Sequence, residues 1–303
     1  MASSVLHPMY QHELIANHKV VSCNFSAYTN SLFPHCKYRG AKMADNHEGI
    51  VRSEKIDHIL KITIDNQSKK NSFHPDMMLQ LSNALTELHE NPDLWTGVLT
   101  AAGENFTAGL DMPKFFGPSA KPSEIPETNI DPFGLRNMCK KPVVTAVQGI
   151  CFTVGIEMAL AGDIIIAADD TRFCQMEAKR GIAPLGGAHF RYVTRSGWGN
   201  AMYHLFLCDE FSAEEAYRVG LVQEVVPAGT QVERAMELAR LINQNAPLGV
   251  QATKTAGRKF IEEGETEAVA AIADLRKTVF GTKDAAEGIQ SFVERRQANF
   301  TGE

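Results

Sequence analysis

The sequence predicts an α/β fold of repeating units closed by an all-helical C-terminal stretch. Three observations predict it. A clean period-2 alternation near residue 60 marks a half-buried strand. Short runs that read as buried strands then alternate with helical segments. After Pro247 no strand pattern remains.

"ILKITID" sets Leu60, Ile62 and Ile64 against Lys61, Thr63 and Asp65, so one face is buried, and "IVRSEKI" is its expected partner strand. The polar loop "NQSKKNS" follows, and Pro75 then sits at a helix start. Met78, Leu81, Leu85 and Leu88 recur at helical spacing until "NPD" stops the helix. "TGVLTA", "PVVTAV" and "DIIIAA" read as buried strands, and "LVQEVV" as another. Residues 113–135 are rich in proline, glycine and polar groups and read as a mobile loop or lid. Ser212 with Glu215, and Thr230 with Glu233, form two expected capping boxes.

Composition limits the function classes. The chain has 303 residues, with 44% apolar and 22% charged residues, ordinary for a soluble globular protein. A net charge of -6 gives no overall basic field, so nucleic acid is not an expected partner. The apolar stretch from Val143 to Ala168 is interrupted by Gln148, Glu157 and Asp163 and punctuated by glycines, so no membrane association is expected. The 6 cysteines include no CxxC pair and no zinc spacing, and neither HExxH nor a phosphate-binding glycine motif occurs. A reduced compartment fits, with Cys151 and Cys174 in the core. No metal site is expected. Residues 1–42 carry Lys19, Lys37, Arg39 and Lys42 against Glu13 and lack periodicity, and they read as a poorly packed extension. A cytoplasmic location is expected, or the mitochondrial matrix if that extension is a presequence.

The stretch "GICFTVGIEMAL" holds a single carboxylate, Glu157, among apolar neighbours. Burying an unpaired carboxylate costs several kcal/mol or forces its pKa upward. Glu177, in "FCQMEAKRGIAPLGGA", reads either as a second buried acid or as a surface acid paired with Lys179 or Arg180. Two partly buried carboxyls that share a water can divide general acid and general base roles. Both "FTAGLDM" and "FTVGIEM" join a loop to a helix through a glycine. Such junctions read as tight turns, or as two sets of N–H donors able to converge on one oxygen.

The order "FTAGLDM", "VQGICFTVGIEMALAGDI", "FCQMEAKRGI" and then a P-GG pattern resembles the crotonase superfamily, most closely the enoyl-CoA hydratases. "SAEEAYRVGLVQEVVP" and the terminal "SFVERRQANFTG" extend the resemblance over residues 50–303. It implies a crotonase-like fold of repeated ββα units: residues 43–246 as the core domain and 247–303 as a C-terminal helical oligomerisation region. It also implies a homotrimer or a dimer of trimers. The implied activity is reversible hydration of a 2-enoyl-CoA thioester. Coenzyme A enters as part of the acyl-CoA substrate, with no separate cofactor. Position by position, the resemblance places the thioester oxygen on the backbone N–H groups of Leu110 and Val154, and the catalytic pair at Glu157 and Glu177. Lys69, Lys70 and Asp111 would lie near the CoA nucleotide, with Phe280, Phe292 and Arg295 reaching it from a neighbouring subunit. The departures are Thr153 and Val154 in a usual glycine run, Leu185 for a glycine, and Pro113 where a lysine is frequent. The alternatives are a double-bond isomerase of the same fold, a non-catalytic CoA- or RNA-binding relative, and an acyl-CoA hydrolase.

Overall fold

The computed structural model describes residues 49–118, 120 and 124–303. The extension at residues 1–42 lies outside the described residues. Nine strands and ten α-helices follow in the described chain. β1 (Ile50–Ile56) and β2 (Ile59–Asp65) form an antiparallel pair in which Val51 faces Ile64 and Ser53 faces Ile62. α1 (Pro75–Glu90) then crosses to β3 (Thr96–Ala101). Pro75 opens α1, and the backbone N–H of Asn91 closes it on Glu87.

After α2 (Met112–Phe116) come β4 (Val143–Val147), β5 (Ile150–Phe152), α3 (Val154–Ala161), β6 (Ile164–Ala168) and β7 (Arg172–Cys174). α4 (Ala188–Leu207), β8 (Phe211–Ser212), α5 (Ala213–Arg218), β9 (Glu224–Val226) and α6 (Gln231–Ile242) complete the core. One sheet has the order β1-β2-β3-β4-β6-β9 and is parallel from β2 onward. A second has the order β5-β7-β8. Parallel strands covered on both faces are buried on every side chain, which is why β3 and β4 show no alternation of buried and exposed residues. Leu60, Ile62 and Ile64 of β2 pack with Met77, Leu81 and Leu88 of α1, Leu99 of β3 and Ile156 of α3 in the main core.

The helical tail is present as α7 (Pro247–Glu263), α8 (Glu265–Ala270), α9 (Ile272–Phe280) and α10 (Lys283–Glu294). No helix of the described residues is long and apolar enough to cross a membrane.

Two local expectations change. Ser212 caps α5 by accepting the Glu215 N–H at 3.2 Å, but Thr230 does not cap α6. Its φ/ψ of -103°/-9° is helical rather than extended, and its hydroxyl donates to Pro227 O at 2.7 Å instead. The expected lid is also more ordered than its composition suggests. α2 occupies its start, and Asp131 accepts the N–H groups of Phe133 (2.9 Å) and Leu135 (3.2 Å) near its end.

Candidate active site

Two chain segments run side by side to build one wall. The Thr107 N–H donates to Ile150 O (2.9 Å), and the Phe152 N–H donates to Thr107 O (3.0 Å), which pairs Thr107 with Cys151 in parallel. Gly109 and Thr153 abut. A Cβ on Gly109 would fall 2.6 Å from Thr153 Oγ1, and the glycine φ of +108° suits no other residue. Just beyond them, Phe73 brackets Leu110, donating to Gly109 O (2.9 Å) and accepting from the Asp111 N–H (2.7 Å). Leu110's own N–H therefore points to the opposite side. Val154 is the first residue of α3, where helix geometry leaves N–H groups without partners. Among the described residues, no acceptor takes the N–H of either Leu110 or Val154.

Glu157 lies three residues after Val154, on the same face of α3, and is 2% exposed. The Ala188 N–H donates to its Oε1 at 3.1 Å, and the Gly186 backbone lies against the same carboxylate. Burial pushes the Glu157 pKa up, while the Ala188 and Gly186 backbone, then His189 and Arg191, pull against it. Glu177 precedes the 3-10 turn Ala178–Arg180 and is 9% exposed. Gln175 Nε2 donates to its Oε1 at 3.0 Å, and its Oε2 is buried with no hydrogen-bond partner among the described residues. Burial first, and then the Glu157 charge, raise Glu177 to about 7. The Glu157 charge thus reaches Glu177, and Tyr192, buried on α4, senses both carboxyls. The surface reading of Glu177 fails, because Lys179 pairs with Asp209 at 2.6 Å instead.

The two carboxyls are held differently. Glu157 accepts the Ala188 N–H, which favours a carboxylate. Glu177 keeps one oxygen without a donor, which favours the protonated acid near neutral pH. The raised pKa also has a stability consequence. Glu177 ionises near 4.5 when unfolded and near 7 when folded, so the folded state holds the extra proton between those values. Its favourable contribution is complete below pH 4.5 and is lost as pH rises through 7. Glu177→Gln is therefore expected to stabilise the protein at pH 8 by on the order of 2–3 kcal/mol, and to leave stability unchanged near pH 4. Thermal melts at the two pH values check this, and an equal effect at both refutes it.

The remaining expected residues divide into two groups. Lys69 pairs with Asp111 at 2.8 Å, beside Leu110, and Lys70 O accepts the Ala108 N–H at 2.9 Å. These residues are thus brought to the same edge as the free N–H of Leu110. Phe280 and Phe292 are exposed on α9 and α10, and Arg295 ends α10 in a left-handed conformation. Among the described residues, no hydrogen bond, ion pair or ring contact links these three to the two glutamates. Leu185 is 75% exposed, so it does not press on Glu157 within the chain. Gln175, Phe133 and Arg191 belong to the site and were not expected from sequence. Only Gln175, two residues before Glu177, carried a local signal.

A family model described as enoyl-CoA hydratase/isomerase matches residues 54–303. The chain belongs to the enoyl-CoA hydratase/isomerase family. The enoyl-CoA hydratase EchA19 of Mycobacterium tuberculosis is 32% identical over 251 residues, covering 82% of this chain and 94% of that protein. A carnitinyl-CoA dehydratase of Salmonella typhi is 32% identical over 254 residues, covering 80% and 95%. A crystal structure of an enoyl-CoA hydratase from Mycobacterium tuberculosis superposes with a TM-score of 0.77 at 31% identity, covering 84% of this chain and 100% of that one. The crotonase-like fold expected from the motifs is therefore the fold of this family member. The C-terminal helices that the enoyl-CoA hydratase/isomerase resemblance implied are present as α7–α10.

Proposed function

We propose that the protein is a 2-enoyl-CoA hydratase. The observation that carries this reading is the two buried carboxyls: Glu157, one helical turn from the free N–H of Val154, and Glu177, whose Oε2 is buried with no hydrogen-bond partner among the described residues. The thioester oxygen accepts the N–H groups of Leu110 and Val154. Each such donor is worth about 3 kcal/mol to the enolate-like transition state. Glu157 takes a proton from the water that attacks Cβ, and Glu177 delivers a proton to Cα. Hydration leaves Glu157 protonated and Glu177 ionised, and proton exchange through solvent returns both to their starting states before the next turnover; dehydration runs the same transfers backward.

Coenzyme A enters with the substrate, and no resident cofactor takes part. Lys69 and Lys70 lie where the nucleotide phosphates approach, and Lys69 exchanges Asp111 for phosphate. Phe280, Phe292 and Arg295 serve the nucleotide site of a neighbouring subunit in a trimer or a dimer of trimers. Burial of exposed apolar groups such as Val269, Ile272 and Phe280 would drive that assembly.

Crotonyl-CoA tests the reading. The conjugated thioester absorbance is expected to fall on incubation with the protein. The rate is expected to decline above pH about 7, because hydration needs the protonated form of Glu177. A protein inert toward 2-enoyl-CoAs that nevertheless converts 3-enoyl-CoAs would instead be an isomerase, needing Glu177 alone.

A further inference from the structure

We propose that Arg191 is a positioning residue for Glu157: its guanidinium ties the turn at residues 131–135 to the 186–188 loop and holds the carboxylate opposite a fixed positive charge. The inference rests on Glu157 as the base of the proposed hydratase.

Arg191 is only 8% exposed, yet among the described residues it forms no ion pair. A buried guanidinium without a carboxylate partner costs several kcal/mol, and a methionine would fill the same space without that penalty. Arg191 instead bridges two backbone carbonyls. Nη1 donates to Gly186 O at 3.2 Å, and Nη2 donates to Gly134 O at 3.2 Å. Both backbones approach closely: a Cβ on Gly187 would lie 2.6 Å from Nη1, and one on Gly134 would lie 3.4 Å from Nη2.

The loop gripped by Nη1 is the one that holds Glu157. Gly186 offers its carbonyl to Arg191 and lies against the Glu157 carboxylate, where an added Cβ would fall 2.4 Å from Oε2, while the Ala188 N–H donates to that carboxylate. The turn gripped by Nη2 is fixed by Asp131 and presents Phe133, whose ring lies against Gly186. One side chain therefore connects a turn of the expected lid to the base. It is a positioning contact because Arg191 reaches Glu157 through the loop, not through a direct bond.

The surrounding charges are few. Glu157 faces His189 and Arg191 on α4, with Glu177 before the 3-10 turn and Tyr192, fully buried on α4, close to both glutamates. Arg191 faces Arg258 of α7, Arg195 of α4, Glu157 and Asp131. Burial first, then Arg258 and Arg195, lowers Arg191 to about 10, which leaves it charged at neutral pH.

The experiment uses the full chain and compares Arg191→Lys and Arg191→Met with wild type. Two readouts are taken: crotonyl-CoA kinetics, and titration of the Glu157 carboxyl by carbon NMR, with Glu157→Gln assigning the signal. Losing the charge in Arg191→Met is expected to raise the Glu157 midpoint by about one pH unit. Losing the clamp is expected to lower kcat about tenfold, with KM within a few-fold. Arg191→Lys keeps the charge but cannot span both carbonyls. It is expected to titrate like wild type with kcat reduced about threefold. A methionine variant with wild-type midpoint and kcat, altered only in melting temperature, overturns the proposal. If that variant does not fold, wild-type kcat in Arg191→Lys overturns it. Wild-type protein inert toward crotonyl-CoA would sink the hydratase reading, while the Glu157 midpoint would still decide the role of Arg191.

Discussion

Glu157→Gln and Glu177→Gln are each expected to lower crotonyl-CoA hydration about 10²–10⁴-fold, the usual contribution of a positioned acid or base. Glutamine keeps the size and most hydrogen bonds of each side chain: it can still accept from Ala188 at 157 and from Gln175 at 177. What it loses is the exchangeable proton. In the proposed mechanism the two carboxyls act as one unit, so the double variant should lose far less than the product of the two single losses. Affinity for the CoA ester should survive, since the N–H groups of Leu110 and Val154 are untouched. Steady-state kinetics with a thioester binding titration separates these outcomes. A Glu157→Gln protein hydrating at near the wild-type rate sinks the mechanism. One that retains only double-bond migration, with Glu177→Gln inert, establishes an isomerase. Unfolding cannot imitate the loss at 177, because that variant is expected to melt higher above neutral pH.

Gly186→Ala is expected to lower kcat on the order of 10²-fold without replacing a titrating residue. An added Cβ would lie 2.4 Å from Glu157 Oε2, 2.7 Å from its Cδ and 2.9 Å from the Phe133 ring. The carboxylate must move by about an ångström, away from the Ala188 N–H that orients it, and misplacements of that size cost about two orders of magnitude in rate. KM for crotonyl-CoA should stay within a few-fold. Combining Gly186→Ala with Glu157→Gln should add little further loss, because both act on the same group. Full kcat in Gly186→Ala would show that the carboxylate is not held by this loop.

The parts of this site that were legible in sequence are those whose signal is local. Glu157 stood out because a carboxylate in "GICFTVGIEMAL" has no cheap place to go. The strands β2, β3, β4 and β6 were legible from periodicity or from short runs that read as buried strands, and α1 from its 3-4-3 spacing. Glu177 was ambiguous because Lys179 and Arg180 stood beside it, and only the fold sends Lys179 to Asp209. Arg191 and Phe133 were silent: the contacts that join them to the site cross segments remote in sequence, as Gly134 is to Arg191, and neither residue type alone carries a mark of burial. The Thr230 cap failed for a different reason. A capping box specifies residue types, whereas the cap itself requires an extended backbone that Thr230 does not adopt.

The parallel pairing of Thr107 with Cys151 has a consequence for how the family's chemistry withstands sequence drift. The two proposed oxygen-binding N–H groups are set by main-chain registration, through Thr107 on Ile150 and Phe152 and through Phe73 on Gly109 and Asp111. Peptide groups are common to every residue except proline, which lacks the donor. Side chains at 110 and 154 are therefore free to vary in shape, within the space available, without erasing the donors. Thr153 shows the same latitude: it sits at φ +50°, a conformation that is costly for a β-branched residue, yet the segment still turns into α3. Selection on such a pair acts on spacing and turn geometry rather than on residue identity. An insertion or deletion of one residue between 107 and 110 should do more harm than almost any exchange there, because it would rotate a donor out of the wall.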